Sequence, residues 1–283
     1  MSHTVIVAYD GSAGASRALE WAADDAARQG VALRIVHVLA PWPYDISKYA
    51  VPGGPEAYAE GAGRMLAEAE QTARELRPGL EVSSALLDGQ PAKVLREQSG
   101  PDTTLVLGSR GLGGFTGALV GSVSTHVATH AHGPVVVVRP HEGVTRNEIV
   151  VGVDGSPECE PALGFALEQA RLRGATVRAI HAWQLPVHAY APEVTFDMDE
   201  LVRSRQRLVA EKLAAWREKY PEVTLIEQTP CVHPANALID ASSTAELVVV
   251  GSRGMGALGS LVLGSVSRAV LHHAHCPVAV VRS

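Results

Sequence analysis

Aromatic residues and cysteines are scarce in this 283-residue chain. Aromatics make up 5% of it, and the three cysteines, Cys159, Cys231 and Cys276, include no CxxC pair. A sparse, odd set of cysteines argues against a disulfide framework and indicates unpaired thiols in a reducing compartment.

Long apolar runs and an excess of basic charge are missing as well. No uninterrupted apolar stretch approaches the ~20 residues that a membrane helix needs. The first strand-like run, TVIVAYD, starts at Thr4, and no signal-peptide pattern precedes it. The net charge of −6 argues against a general nucleic-acid or anionic-membrane surface. We therefore expect a cytoplasmic protein that engages neither nucleic acid nor membrane.

What the chain does contain is an internal repeat. Asp10 in IVAYDGS recurs as Asp154 in IVVGVDGS, and LVLGSRG, which ends at Gly111, recurs as VVVGSRG, which ends at Gly254. A repeat of roughly 140 residues is far longer than a solenoid unit, so each copy is predicted to be a whole domain. We predict domains at residues 1–141 and 146–283, joined by a short polar linker.

Each copy alternates apolar strands with helical segments. Continuous apolar strands such as TTLVLGS indicate a parallel sheet covered by helices on both faces. Right-handed crossovers make a doubly wound, five-stranded sheet the simplest α/β topology for each domain. Ligands in such sheets bind beyond the carboxyl ends of the strands, where the winding direction reverses. The DGS segment after the first strand and GSRG after the fourth would flank that crevice.

A spaced glycine pattern follows the fourth strand in both copies. Glycine permits positive φ and close approach to a bound group, and amides at a helix N-terminus attract anions. The alternative without a ligand is that glycine in these strand–helix turns only permits tight packing of the chain. Between the glycines the copies match only at Gly113 and Gly256, whereas the glycines themselves are kept, which favours phosphate binding. The glycines are Gly108, Gly111 and Gly121 in the first copy, and Gly251, Gly254 and Gly264 in the second.

With these motifs the chain resembles a tandem universal stress protein over both halves. The spacing G-2x-G-9x-G-[S/T] is that family's ATP-binding signature. The resemblance implies an adenine nucleotide alpha-hydrolase-like fold with strand order 3-2-1-4-5. It also implies one adenine nucleotide per domain: ATP, with ADP and AMP as alternatives and Mg²⁺ as an accompanying ion.

The resemblance also implies site residues, by position. The aspartates would contact the adenosine part, Val38 and Ala182 would meet adenine through their backbone, and the glycine loops would hold phosphates and ribose. In the first copy the residues are Ala8, Asp10, Val38, Gly108, Ser109, Arg110, Gly111, Gly113, Gly121, Ser122, Val123 and Ser124. In the second they are Gly152, Asp154, Ala182, Gly251, Ser252, Arg253, Gly254, Gly256, Gly264, Ser265, Val266 and Ser267. Ala182 is smaller than Val38, so the second adenine wall is less defined.

Several residues have a plainer interpretation beside the functional one. The two aspartates could only cap helices, and Ser122 and Ser124 could cap the fourth helix or donate hydroxyls to phosphate. His37 and His181 are expected to be satisfied, half-buried histidines rather than catalysts. The segment after the second strand, with Trp183, Tyr190 and prolines at 41, 43, 52 and 55, could be a lid or a cover.

A histidine-rich segment at the end of the fourth helix invites a metal site. Histidines there can meet the last helix carbonyls instead, and no Cys/His framework for zinc accompanies them. We expect no metal site. The residues are His130, His132, His272, His273, His275 and Cys276.

ATP hydrolysis would need a metal-holding acid and a group that positions water, and no motif places both. We expect a stress-response regulatory protein that acts by nucleotide binding, with at most slow hydrolysis. The alternatives are an ATP hydrolase or pyrophosphatase of a related α/β fold, and a scaffold without nucleotide. PVVVVR and PVAVVR are predicted to pair within the chain as a pseudo-dimer, and two chains are expected to form a homodimer.

Overall fold

The computed structural model of the chain describes residues 3–41, 54–112, 119–140, 146–184, 197–254 and 263–282. The chain divides into two compact units, Met1–Pro140 and His141–Ser283. No helix in these described ranges is long and apolar enough to cross a membrane. Cys159 and Cys276 are buried and Cys231 is exposed, and none of these three described cysteines forms a disulfide.

The described part of the first unit contains five parallel strands in the order β3-β2-β1-β4-β5. The strands are β1 (Thr4–Ala8), β2 (Ala32–Leu39), β3 (Val82–Asp88), β4 (Thr103–Gly108) and β5 (Val135–Val138). The helices are α1 (Ala13–Gln29), α2 (Gly54–Leu76), α3 (Pro91–Glu97) and α4 (Ser122–His130).

The described part of the second unit repeats this arrangement in the order β8-β7-β6-β9-β10. Its strands are β6 (Glu148–Gly152), β7 (Thr176–Ile180), β8 (Leu225–Gln228), β9 (Leu247–Gly251) and β10 (Val278–Val281). Its helices are α5 (Glu160–Arg173), α6 (Met198–Lys219), α7 (Pro234–Ala241) and α8 (Ser265–His273). The α/β fold and the strand order 3-2-1-4-5 are confirmed.

The core of the first unit shows why its strands are continuously apolar and its first helix is rich in alanine. Strand β1 is flanked by β2 and β4 and covered by α1, so Val5, Ile6 and Val7 are buried and its sequence is uninterruptedly apolar. Helix α1 turns a row of alanines and one leucine toward the sheet, and these small side chains allow close helix–sheet packing. The row, predicted from its helical spacing, is Ala15, Ala18, Leu19, Ala22 and Ala26.

Candidate functional site

In the first unit one carboxylate joins the loops that follow β1 and β4. Oδ1 of Asp10 accepts the Ser12 backbone N–H at 3.0 Å, and Oδ2 accepts the Leu112 N–H at 3.1 Å. The N-cap of α1 is Ser12, whose Oγ accepts the Ala15 N–H at 3.1 Å. Capping as the sole role of Asp10 is therefore wrong, because this aspartate holds two loops together at the carboxyl ends of the strands.

The second unit builds the same turn with a different helix start. Oδ1 of Asp154 accepts both the backbone N–H of Ser156 (2.9 Å) and its hydroxyl (2.6 Å). A short 3₁₀ turn, Pro157–Cys159, follows with Ser156 as its N-cap, and α5 starts after Cys159. Asp154 is thus not a helix cap either.

Packing rather than positive φ accounts for the first two glycines of each motif. Left-handed backbone occurs one residue after each aspartate, at Gly11 (φ 78°) and Gly155 (φ 81°), whereas the six motif glycines have no positive φ. A Cβ on Gly108 would lie 2.6 Å from the carbonyl carbon of Gly14 in α1, so this glycine allows the strand end to touch the helix.

The second glycine of each motif makes room for the aspartate. A Cβ on Gly111 would strike Oδ2 of Asp10, and a Cβ on Gly254 would lie 2.7 Å from Oδ2 of Asp154. A side chain at either position would therefore displace the carboxylate that organises the loops.

The third glycine is different, because nothing in the protein crowds it. A Cβ on Gly121 would find its nearest neighbour, the Ser109 carbonyl oxygen, at 3.6 Å, and a Cβ on Gly264 would find Arg253 Cα at 3.5 Å. These are ordinary contact distances. Both glycines are N-caps without a side-chain hydrogen bond to the helix. The first-turn amides of α4 and α8 therefore receive no side-chain cap.

Two serines of the motif stabilise the loop from within. The hydroxyl of Ser124 donates to the Gly108 carbonyl at 2.8 Å, and that of Ser267 donates to the Gly251 carbonyl at 2.6 Å. The hydroxyl protons are thus used inside the protein, at the ends of β4 and β9. Ser122 and Ser265 occupy the first position of their helices and do not cap them.

In the first unit β2 runs three residues past the end of β1. In the second unit β7 ends level with β6, and residues 181–183 continue in the same direction, because the N–H groups of His181 and Trp183 still donate to the Gln228 and Pro230 carbonyls. Val36 and Ile180 accept the N–H groups of Tyr9 and Val153 from the first-strand side, at 2.9 Å in both units. Successive residues of a parallel strand direct their backbone groups to opposite neighbours. The N–H and C=O of Val38 and Ala182 therefore face the space above the end of the first strand.

The histidines beside these residues are satisfied, as predicted. Nδ1 of His37 lies 2.6 Å from the Tyr9 carbonyl oxygen, and Nδ1 of His181 lies 2.9 Å from that of Val153. Each ring is thus hydrogen-bonded to the carbonyl of the residue that precedes the aspartate. Because a carbonyl only accepts, Nδ1 carries the proton in both.

In the second unit these features surround a cavity of about 660 Å³. Because β9 and β7 flank β6 on opposite sides, we call the part lined by Gly251, Arg253, Gly254 and the start of α8 the polar end, and the part lined by Ile180, Ala182, Trp183 and Leu238 the apolar end. Trp183, interpreted from sequence only as part of a lid or cover, lines the apolar end. The predicted residues in the lining are Gly152, Asp154, Ala182, Gly251, Arg253, Gly254, Gly264, Ser265, Val266 and Ser267.

The remaining predicted residues are placed as follows. Ser252 is buried beneath the loop, and its N–H donates to the Val281 carbonyl. Ser109 does the same with Val138. Gly113, Gly256, Tyr190 and the prolines at 43 and 52 lie outside the described residues.

Sequence reasoning missed other residues of this cavity. Cys159, Arg205, Pro234 and Leu238 line it, from three different segments of the chain: the 3₁₀ turn, α6 and α7. No local motif could have identified them, since only the tertiary fold brings these segments together. For Cys159, the sequence offered one indication: this residue lies five positions after Asp154, at the end of the turn that the aspartate begins.

Two pKa shifts report on the environment of the cavity. Burial, together with the negative charge of Asp154, raises the pKa of the Cys159 thiol, so this thiol stays protonated. Burial and the nearby Arg253 guanidinium lower the pKa of Arg282. Of these two arginines, Arg253 lines the cavity.

The histidine-rich segments lie at the ends of α4 and α8. The His130 Nδ1 lies 2.9 Å from the His126 carbonyl oxygen one turn earlier, which satisfies a carbonyl of the last turn. Across the part of the chain that the structure describes, no group of three or more His, Cys, Asp or Glu side chains is placed to hold a metal ion.

Comparison with known proteins identifies similar chains. A family model described as the universal stress protein family matches residues 1–139 and 145–282. A universal stress protein of Mycobacterium tuberculosis is 36% identical over 292 residues, covering 99% of this chain and 97% of its own. The crystal structure of one from Archaeoglobus fulgidus matches with a TM-score of 0.74 and 23% identity, over 100% of this chain and 99% of that one. An Archaeoglobus fulgidus universal stress protein in complex with dAMP matches with a TM-score of 0.35 and 28% identity, over 48% of this chain and 97% of that one.

Proposed function

The chain belongs to the universal stress protein family, and from that premise we propose that each unit binds one adenine nucleotide, ATP in the first instance. The nucleotide lies across the carboxyl ends of the first and fourth strands. The protein acts as a nucleotide-responsive regulator of a stress response, and binding rather than rapid chemistry is its activity.

The observation that carries this proposal is the open space at Gly121 and Gly264. Serine, aspartate and asparagine are better N-caps than glycine, and the protein itself leaves room for a side chain there. A phosphate group bound to the uncapped amides of α4 and α8 would explain why these N-caps are glycine, because a side chain there would occupy the position of the phosphate.

The charge at the polar end supports an anionic ligand. Arg253 lines the cavity beside Gly251 and Gly254 and carries a positive charge there. A polyphosphate seated on the amides of α8 would pair with this guanidinium group. Mg²⁺ would enter with the nucleotide, and Asp154 is the carboxylate within reach.

The backbone of Val38 and Ala182 supports adenine at the other end. Each residue presents one N–H donor and one C=O acceptor to the same side. The Watson–Crick edge of adenine carries the complementary pair, with N1 as acceptor and the N6 amino group as donor. Recognition through the backbone is compatible with valine in one copy and alanine in the other.

The second crevice favours binding over turnover. Among the described residues that line it, Asp154 is the only carboxylate, and its Oδ1 is already engaged by Ser156. Phosphoryl transfer to water needs both metal ligands and a group that orients the water. Hydrolysis by the described residues is therefore expected to be slow.

Calorimetry of the full chain with ATP tests the proposal, with two nucleotides expected per chain. Gly121→Ala and Gly264→Ala are each expected to abolish one site while thermal unfolding without ligand changes little, because the new methyl groups make ordinary contacts. Gly63→Ala is the matched control, since nothing lies within 4 Å of a Cβ there; it should leave both sites intact.

The competing functions give different results. Turnover of ATP faster than about one per second would favour a hydrolase. Absence of binding heat and of a thermal shift, with both glycine variants indistinguishable from the parent chain, would leave a scaffold without nucleotide.

A further inference from the structure

The crevice of the second unit contains a fixed aromatic ring. Trp183 is 8% exposed and lines the apolar end of the cavity. Its indole N–H donates to the Thr229 carbonyl at 3.2 Å, and its backbone N–H donates to the Pro230 carbonyl at 3.1 Å. Two hydrogen bonds to one loop hold the ring in place, so little side-chain freedom remains to be lost on binding.

A guanidinium group lies over this ring. Helix α6 carries Arg203, Arg205 and Arg207 in close succession, and Glu200 pairs with the first at 3.2 Å and the third at 2.7 Å. Arg205 instead lines the cavity, with its Cζ 5.8 Å from the centre of the Trp183 ring. Within the described residues Arg205 makes no ion pair with a carboxylate, so its charge remains available at the apolar end.

The first unit has neither group at the corresponding positions. Leu39 follows Val38 as Trp183 follows Ala182. On the second helix, Met65 lies against Gly11 as Lys212 lies against Gly155, which aligns α2 with α6. Two helical turns earlier, Tyr58 stands where α6 has Arg205, and Tyr58 is 48% exposed. The two units therefore differ in the residues that occupy these two positions.

The ends of the cavity decide how a nucleotide would lie in it. Its phosphates belong at the polar end, with the amides and Arg253, so its base reaches the apolar end beside Trp183. Stacking of a base on an aromatic side chain, with an arginine contributing, strengthens binding. A purine offers more ring surface for stacking than a pyrimidine does.

We propose that Trp183 and Arg205 make the two sites unequal: the second unit binds nucleotide first, more tightly, and with a preference for purines. This inference rests on the proposed nucleotide binding. The first unit, which has Leu39 at the position that corresponds to Trp183, binds nucleotide at higher concentration. Trp183 is thus a specificity-determining residue of the second site alone.

Calorimetry and tryptophan fluorescence of the full chain, titrated with ATP and then CTP, test this inference. We expect two binding steps whose dissociation constants differ by about tenfold, the energy of one stacking contact, and a fluorescence change that accompanies the tighter step. Trp183→Leu, which copies the first unit, should weaken the tight step about tenfold and reduce the preference for ATP over CTP at that step to the level of the first site, where only the backbone meets the base. Leu39→Trp should tighten the weak step.

Trp183→Phe separates stacking from the hydrogen bond to Thr229, since phenylalanine keeps a ring but has no N–H. It should bind ATP within about threefold of the parent chain if stacking is the cause. A loss as large as that of Trp183→Leu would overturn the inference, as would equal affinities at the two sites of the parent chain. Complete absence of ATP binding would instead refute the proposed function itself.

Discussion

Replacing Gly108 with alanine is expected to destabilise the first unit more than the equivalent Gly251→Ala destabilises the second. A Cβ on Gly108 would lie 2.6 Å from the carbonyl carbon, 2.7 Å from the carbonyl oxygen of Gly14 and 3.0 Å from the Ala15 nitrogen. All three are backbone atoms and cannot rotate away. Helix α1 would have to move by about 1 Å to restore carbon contacts of about 3.5 Å.

The same position in the second unit is more tolerant. A Cβ on Gly251 would meet the Arg253 carbonyl oxygen at 3.1 Å and the Glu158 carbonyl oxygen at 3.6 Å. The 3₁₀ turn at the start of α5 keeps the helix backbone farther from the strand end, so a shift of a few tenths of an ångström suffices. Overpacking of this kind costs about 1–3 kcal/mol when the surroundings must move. We expect that range for Gly108→Ala and less than about 1 kcal/mol for Gly251→Ala.

Hydrogen exchange followed by mass spectrometry is the suitable assay, because peptides report on each unit separately. In Gly108→Ala, peptides from β1 and α1 should exchange roughly 5- to 150-fold faster where exchange proceeds by unfolding of the unit, while peptides from β6 and α5 stay unchanged. In Gly251→Ala, the acceleration in the second unit should stay below about fivefold. Equal acceleration in the two variants, or a larger one in Gly251→Ala, would refute the packing argument.

Three further changes test other contacts. Ser267→Ala leaves the buried Gly251 carbonyl without its hydroxyl donor, so the second unit should lose about 1–3 kcal/mol in urea denaturation; an unchanged midpoint would contradict this role. Asp10→Ala removes the acceptor that joins two loops and should weaken ATP binding at the first site at least about fivefold by the loss of one to two hydrogen bonds, whereas the second site keeps its affinity in calorimetry. Iodoacetamide should label exposed Cys231 first; Cys159 should react only as the pH rises above the ordinary thiol range, because its raised pKa delays thiolate formation. Saturating ATP should slow Cys159 further, and equal rates for the two thiols by peptide mass spectrometry would contradict its burial.

Sequence patterns predicted correctly those helices and strands whose limits and buried faces depend only on their own residues. Helix α4 spans Ser122–His130, as its starting GS and the following HxH and proline indicate. The inward alanines of α1 followed from their helical spacing, and the apolar strands from burial on both faces. The pairing of PVVVVR with PVAVVR within the chain and the homodimer stay predictions.

The sequence could not reveal contacts made between distant segments. Gly108 is a glycine because Gly14 passes beside it, and the two are brought together only by the packing of α1 on β4. The spacing pattern looked the same in both copies, although the helix start differs between them. Trp183 and Arg205 meet because the loop after β7 faces α6, a juxtaposition that no periodicity contains.

The main-chain groups of Val38 and Ala182 have a practical consequence for mutagenesis. Alanine scanning removes side chains and leaves every peptide group in place, and position 182 is alanine already. A scan would therefore report both positions as neutral even if base recognition depends on them. Replacing the amide itself, by proline or by a backbone ester installed through semisynthesis, is the perturbation to which these positions would respond.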